Sequence, residues 1–513
     1  MDPSASPALP IRFGTDGWRA VIARDFTFAN VARVARATAA HWTAEPPAGT
    51  RRRVVIGFDR RFLSDQFAAA AAEEFAAAGF EVLLADQPTP TPAVSLAVLR
   101  HRAAGGVMIT ASHNPPEFNG YKLKLATGAP AGPDVCAAVE ALVEQEALDS
   151  ARRGTAGTLG DGASPPHAAV AAAPAPQKVS AAPRGGGPRG QIRRLDLRTP
   201  HLRRVRELVD LAALRRARLR VAHDAMHGVG AGCFEVLLAG TGVRLTSLRA
   251  SHDCLFGGVA PEPIAKNYAA TSAWLAKHPH NLCLVTDGDA DRLGAMDGRG
   301  QPLSTHQVIA LLLDHLVRNR GQRGRVVTAL TTTSMIPKLC AEFGLPHTEV
   351  SVGFKHTAAE LAKGDVLLGA EESGGIGFAG HIPERDGLLA GMILLEAVAA
   401  AGVSINRMIA ALERRFGPHR YARLDARFPL EHRAVLMARL AGAPPARLLR
   451  SPLERVQTFD GVKYTARDGS WLAFRGSGTE PVLRIYAEAD SDGKAARLLK
   501  AGQRLAAGVA PVG

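Results

Sequence analysis

Cysteine is scarce in this chain of 513 residues. Cys136, Cys233, Cys254, Cys283 and Cys340 are odd in number, scattered and never paired as CxxC, so they read as reduced core residues of a cytoplasmic protein and exclude a disulfide framework. Long apolar runs are missing too. The longest, Leu388 to Val403, is interrupted by Glu396 and falls short of the roughly 20 residues that a membrane helix needs. Met1-Asp2-Pro3 opens no charged-then-apolar signal, so no membrane span is expected. No GxxxxGK[ST] occurs, which argues against a nucleotide-dependent kinase. Lysine is rare as well: only 11 of the 62 basic residues are Lys. Lys122 and Lys355 therefore stand out against arginine, because a lysine can lose a proton when buried and an arginine practically cannot.

What is present points to a multidomain α/β protein. At roughly 100 to 200 residues per domain, the length predicts three or four domains. The net charge of +14 is segmental: residues 151–220 hold 15 Arg or Lys against 4 Asp or Glu. Within that stretch, residues 151–191 are mostly Ala, Gly, Pro, Ser and Arg, a composition that cannot bury enough apolar area to order itself. No aromatic residue is interleaved there, so a flexible insert is expected rather than a nucleic-acid site.

Val54 to Asp59 and Glu81 to Ala85 read as strands around an alanine-rich helix, Ser64 to Ala78. Gly105-Gly106-Val107-Met108-Ile109 reads as a third strand of the same unit. A second unit holds strands at Leu219 to Asp224 and Asn281 to Thr286, and a third at Arg325 to Ala329 and Asp365 to Gly369. From about Phe416 the pattern changes to short strands, Tyr421 to Phe428, Val456 to Tyr464, Trp471 to Arg475 and Val482 to Glu488, predicting a smaller α+β domain.

Four loops carry chemistry. Thr110-Ala111-Ser112-His113-Asn114-Pro115 puts a serine at the C-terminal end of a strand, where open α/β sheets place their sites. Asp287-Gly288-Asp289-Ala290-Asp291-Arg292 offers three carboxylates at alternate positions, hard oxygen ligands suited to Mg2+. Arg292 and Gly298 occupy the places where a calcium loop needs Gly and an acid, so an EF-hand is excluded. Ala370-Glu371-Glu372-Ser373-Gly374-Gly375 can hydrogen-bond sugar hydroxyls. The formal GxGxxG from Gly375 to Gly380 is preceded by Glu371 and Glu372, which would repel a dinucleotide pyrophosphate. Arg475-Gly476-Ser477-Gly478-Thr479-Glu480-Pro481 combines a guanidinium, hydroxyls and backbone N–H groups suited to a phosphate dianion. Lys355 or His356 can serve as general acid/base.

Taken in order from Arg12 to Tyr486, with only the insert outside, these loops resemble the signature set of the α-D-phosphohexomutase superfamily, most like its bacterial phosphoglucomutase/phosphomannomutase members. Phe13-Gly14-Thr15-Asp16-Gly17-Trp18-Arg19 resembles the N-terminal motif, with Arg19 at the place of an active-site arginine. The resemblance implies that Ser112 is a phosphoserine beside His113 and Asn114. It also implies that Lys122 and Arg292 are active-site cations and that Asp287, Asp289 and Asp291, with Ser112, hold Mg2+. Glu371 and Ser373 match the sugar-binding pair, and Arg475, Ser477, Gly478 and Thr479 the phosphate loop. The implied fold is three related α/β/α domains plus a C-terminal α+β domain around one central cleft: 1–150, an insert at 151–195, then 196–300, 301–415 and 416–513.

The implied reaction interconverts glucose 1-phosphate and glucose 6-phosphate through phospho-Ser112 and a bisphosphorylated sugar, with glucose 1,6-bisphosphate as activator. Glu371-Glu372-Ser373-Gly374-Gly375 and His381 to Gly387 are more similar to phosphoglucomutase-type members. A phosphomannomutase or dual glucose/mannose mutase is the alternative, followed by a phosphoglucosamine mutase or a non-catalytic sugar-phosphate-binding protein. The expected partner is a sugar phosphate, with no nucleic acid and no membrane, in a monomer or homodimer.

Overall fold

The run Val54-Val55-Ile56 lies in the strand Arg51–Phe58, whose last five residues are buried. In the computed structural model, which describes residues 11–14, 16–156, 188–476 and 481–507, this strand belongs to a seven-stranded sheet. It runs parallel to Glu81–Ala85 on one side and Ala103–Ile109 on the other. Parallel neighbours need crossovers, which the helices Ser64–Ala77 and Thr91–His101 supply. Phe67, Ala68, Ala71, Ala72, Phe75 and Ala76 form the buried stripe of the first of these helices, with the i, i+4 spacing that its sequence dictates.

Each of the first three units then turns a strand of its parallel set back antiparallel. Ala103–Ile109 turns back antiparallel into Phe118–Leu125, Leu282–Thr286 into Leu293–Asp297, and Val366–Ala370 into Ile376–Phe378. The loops at those three reversals hold Ser112, the three aspartates and Glu371. The second sheet has five strands and the third four. The C-terminal sheet is six-stranded, and its reversal from Trp471–Gly476 to Val482–Ala489 spans the expected phosphate loop. One topological device therefore presents all four chemical loops.

Three expectations change. Val456 to Tyr464 is not one strand but the two arms of a hairpin, Ser451–Gln457 and Val462–Ala466, in which Val456 and Tyr464 face each other. Phe459-Asp460-Gly461 supplies the turn: Gly461 has φ +83°, and a Cβ there would meet the Phe474 carbonyl oxygen at 2.1 Å. The segment 151–195 is ordered at both ends. The helix Pro133–Ala156 runs into its start, and Ile192–Leu195 pairs with Glu81–Ala85 as the edge strand of the first sheet, because Ile192 and Leu195 pack on that core. The rest of the expected flexible insert, 157–187, lies outside the described residues. Finally, the second and third units share one hydrophobic core. The helix Gly387–Ala401 is apolar around most of its circumference and packs its Gly391 against Phe234 of the second unit. Among the described residues no single helix is long and apolar enough to cross a membrane.

His306, in the first turn of Thr305–Arg318, is buried between that helix and the C-terminal sheet, its ring 4.4 Å from that of Tyr421. Burial pushes its pKa from 6.5 down to about 4. The folded state thus favours the neutral ring. This contribution to stability is complete above pH 6.5 and is lost as pH falls toward 4, where the unfolded chain takes up a proton that the folded chain resists. His306→Leu should flatten the loss of stability between those pH values in urea titrations; an unchanged slope would place the acid sensitivity elsewhere.

Candidate active site

Ser112 sits in the left-handed region at φ +53°, a conformation that persists only where its surroundings dictate it. The constraint comes from Asp59 and Arg61, at the end of the neighbouring strand. The Arg61 guanidinium donates to the carbonyl oxygens of Ser112 (2.8 Å), Asn114 (2.6 Å), Pro115 (2.7 Å) and Phe118 (2.9 Å). Its Nε lies 3.2 Å from Asp59 Oδ2, both side chains fully buried. Asp59 also accepts from Thr110 Oγ1 (2.6 Å), Ser64 Oγ (2.7 Å) and the Arg61 backbone N–H (2.9 Å), and Thr110 Oγ1 in turn accepts from the Ser112 N–H at 2.8 Å. The serine loop is wound around one buried cation. Sequence reasoning passed over Asp59 and Arg61, although Asp59-Arg60-Arg61 follows a strand at the same sheet edge as Ser112.

The acidic loop closes on this serine. A Cβ on Gly288 would stand 2.5 Å from the Ser112 carbonyl oxygen, so only glycine permits the approach. Ser112 Oγ donates to Asp287 Oδ2 at 2.9 Å. Asp287, Asp289 and Asp291 are all buried, with ligand oxygens within 4.8 Å of one another. Burial, then repulsion from Asp291 and Asp289, raises the Asp287 carboxyl well above its ordinary range. Burial acts on Asp289 in the same sense, but the Lys122 ammonium and hydrogen bonds from Lys122 and Thr91 hold it below its ordinary value. One oxygen of each of two aspartates, Asp289 Oδ1 and Asp291 Oδ1, is buried without a hydrogen bond, the latter 3.9 Å from Arg292 Nε. Such oxygens are costly alone and fit a hard divalent cation such as Mg2+.

Cations surround the triad. Lys122 Nζ lies 2.8 Å from Asp289 Oδ2, 3.1 Å from Asp291 Oδ2 and 2.9 Å from Asp16 Oδ2. These carboxylates outweigh its burial and hold it protonated. Arg19 donates to Asn114 Oδ1 at 2.7 Å, and the Arg292 backbone N–H to Asp287 Oδ1 at 3.0 Å. His113 Nδ1 is 3.4 Å from Ser112 Oγ. Burial, reinforced by Arg292, Arg19 and Lys122, holds its imidazole neutral by lowering its pKa well below the ordinary value.

The third loop abuts the second. The Leu293 N–H donates to the Gly374 carbonyl at 3.0 Å, and Gly374, at φ +93°, could carry no side chain without striking the Leu293 carbonyl oxygen 2.7 Å away. Glu371 Oε1 accepts from Ser373 Oγ at 2.5 Å. Burial raises the Glu371 carboxyl, against the pull of Arg385 and Arg292. Arg385, another residue that sequence reasoning did not single out as functional, joins the loops: it pairs with Asp16, with Asp291 Oδ2 at 2.8 Å and with Glu371 Oε1 at 3.6 Å.

Lys355, His356 and Arg475 form a second group. Arg475 Nε donates to both oxygens of Asp460 (3.1 and 3.0 Å), and Asp460 Oδ2 accepts from the Val352 N–H at 2.7 Å. The C-terminal sheet is thereby tied to the turn preceding the helix Phe354–Leu361, which carries Lys355 and His356. Burial and then Lys355 lower the His356 pKa. No hydrogen bond joins Lys355, His356 or Arg475 to Ser112 or the aspartates among the described residues. Ser477, Gly478 and Thr479 lie outside the described residues.

Comparison with known proteins agrees along the chain. Residues 10–150, 199–300 and 304–416 match the phosphoglucomutase/phosphomannomutase alpha/beta/alpha domains I, II and III, and residues 429–502 match the C-terminal domain of the same set. A phosphoglucomutase/phosphomannomutase of Thermococcus kodakarensis is 28% identical over 88% of this chain and 89% of its own length. A phosphoglucomutase of Komagataeibacter xylinus is 29% identical over 93% and 87%. Among solved structures, a Thermus thermophilus protein provisionally called a phosphomannomutase superposes with a TM-score of 0.79 at 35% identity, covering 97% of this chain and 99% of that one.

Arg61→Met should lower the unfolding free energy by about 3–5 kcal/mol, because it strands the buried Asp59 carboxylate. Combining it with Asp59→Asn should cost less than the two single changes added together. Trp18 and Trp42, both in the first core, report this transition in urea; strictly additive costs would mean that the pair does not act as a unit.

Proposed function

The chain belongs to the phosphoglucomutase/phosphomannomutase family, whose members are mutases that transfer a phosphoryl group within one sugar, and we propose that it interconverts glucose 1-phosphate and glucose 6-phosphate. One observation carries the proposal: Ser112 Oγ lies 2.9 Å from Asp287 within a buried triad, two of whose oxygens accept no hydrogen bond and suit a divalent cation. Among the described residues no carboxylate is hydrogen-bonded to His113, so the imidazole beside Ser112 Oγ lacks the orienting acid of a hydrolytic triad, and the serine suits a phosphoryl carrier better.

These assignments give a two-step exchange. Ser112 carries the phosphoryl group. A sugar hydroxyl oxygen attacks the phosphorus, its O–P bond forms as the Ser112 Oγ–P bond breaks, and the hydroxyl proton passes to Lys355 or His356. The product is a sugar bisphosphate. After the sugar turns over, the other phosphoryl group returns to Ser112 Oγ and the proton goes back to the sugar oxygen. Asp287, Asp289 and Asp291, with a phosphoserine oxygen, would hold Mg2+, which supplies electrostatic stabilisation of the charge on the transferring group. Lys122, Arg19 and Arg292 add fixed positive charge around the same site, and neutral His113 lies against Ser112 Oγ without competing for the cation. Glu371 and Ser373 bind sugar hydroxyls. Arg475, Ser477, Gly478 and Thr479 grip the phosphate that is not reacting, in either orientation of the sugar. Glucose 1,6-bisphosphate re-primes an enzyme whose Ser112 has lost its phosphate.

The loops Glu371-Glu372-Ser373-Gly374-Gly375 and His381-Ile382-Pro383-Glu384-Arg385-Asp386-Gly387 support glucose, while the names of two similar proteins favour a dual or mannose-directed enzyme. Turnover of glucose, mannose and glucosamine 1-phosphates, each with Mg2+ and the matching bisphosphate, decides between them: the highest kcat/KM is expected for glucose. Comparable values for mannose would make the enzyme dual. Ser112→Ala should abolish turnover while leaving the thermal unfolding profile unchanged, and retained activity would end the phosphoserine assignment.

A further inference from the structure

Glu384, Arg385 and Asp386 are consecutive, buried and charged, yet each meets a different partner. Glu384 pairs with Lys124 of the first unit. Asp386 accepts from His201 Nε2 of the second unit at 2.6 Å and from His381 Nε2 at 2.9 Å, while its other oxygen caps the helix Gly387–Ala401 through the Leu388 and Leu389 N–H groups, both at 3.0 Å. In the cluster of His201, His381 and Asp386, both ring Nε2 atoms are thus spent on one carboxylate oxygen. The work of that cluster is mechanical. With Glu384 held on one side and Asp386 on the other, Arg385 between them has its backbone clamped.

The clamped guanidinium enters the aspartate cluster beside Asp291. Asp291 Oδ2 is shared by Arg385 Nε (2.8 Å) and Lys122 Nζ (3.1 Å), and Asp16 is shared by the same two cations. Asp289 Oδ2 is taken by Lys122 and Thr91. The outer oxygens are therefore covered, and Oδ1 of Asp289 and of Asp291 accept no hydrogen bond, with only Arg292 Nε near the latter at 3.9 Å. Three buried carboxylates with oxygens within 4.8 Å of one another would repel strongly without compensation. Lys122 alone cannot serve, because it divides one charge among Asp16, Asp289 and Asp291.

We propose that Arg385 is a positioning residue with a built-in counter-charge: it stands in for part of the metal's charge on Asp291, holding the aspartates in place before a cation arrives. It then weakens that cation's hold while fixing the arrangement that makes it useful. The inference rests on the reading of the triad as a divalent-cation site. Its consequence runs against the usual effect of removing a residue beside a metal site. Arg385→Met should bind Mg2+ at least about fivefold more tightly than the wild type, the lower end of typical coupling between two charges that compete for one site. It should nonetheless turn over more slowly, because Asp291, Asp16 and Lys122 lose a common anchor.

Isothermal titration of the full-length protein with Mg2+ reads the affinity, and thermal unfolding with and without Mg2+ gives a second measurement. Tm without metal should fall in Arg385→Met, and saturating Mg2+ should raise Tm by more than it does in the wild type. Arg385→Lys, which keeps the charge but can meet fewer carboxylates, should bind Mg2+ as the wild type does. Weaker Mg2+ binding by Arg385→Met, or an equal Tm loss in both conditions, would overturn the counter-charge role. If the wild type itself bound no Mg2+, the reading of the triad as a cation site would fall instead.

Discussion

Three aspartates forced into one dry space are the constraint around which the rest of this protein is arranged. Asp287, Asp289 and Asp291 come from a single short loop, so their proximity is set by local chain geometry and cannot relax without unfolding that loop. Arg292 supplies part of the compensation from within the loop, and the rest comes from elsewhere in the chain. Lys122 arrives from the first unit and Arg385 from the third, both shared with Asp16, and Ser112 brings a hydroxyl to Asp287. The cations that offset the aspartates are contributed by the first and third units, so the cluster is charge-compensated only when the three units are assembled.

The fold meets this demand with one repeated manoeuvre. In each of the α/β units, a strand that belongs to a parallel set turns back on itself in a tight reversal, and the reversal lies at the C-terminal ends of the parallel strands. An ordinary parallel connection would carry the chain away over the sheet face, leaving its loop long. The antiparallel return keeps the loop short, with both ends anchored by ladder hydrogen bonds, and short loops hold side chains more exactly than long ones. Glycines at Gly288 and Gly374 let adjacent reversals touch backbone to backbone. The distances between loops are consequently fixed by main-chain contact.

Much of this was legible in the amino-acid order. Parallel strands buried on both faces read as continuous apolar runs, and the segments at Val54, Glu81, Val107, Arg325 and Val366 announce themselves in that way. The candidate catalytic loops were visible because acids, hydroxyls and glycines at strand ends are hard to explain otherwise. The supporting charges were not. Arg61 and Arg385 stand among many arginines in a chain that uses arginine nearly everywhere, and nothing local distinguishes a buried guanidinium from a surface one. What sets them apart is the set of partners that meets them in space: four carbonyl oxygens for Arg61, and carboxylates from distant loops for Arg385. The hairpin at Gly461 was missed for a different reason, since Val456 and Tyr464 each fit a strand and only the turn residues between them reveal the reversal.

The core shared by the second and third units has a consequence for how the molecule comes apart. Domain boundaries drawn along the sequence suggest four independent pieces, but a helix cannot lose its packing on one side and keep it on the other. Leu284 and Phe234 of the second unit lie against Gly391 of the third, so melting either unit exposes the apolar face of its neighbour. The two should open as a single cooperative block, a larger foldon than either sheet alone would make. Damage in one half of that block is then inherited by the other, and a lesion far from the aspartates can silence them by loosening the wall they share.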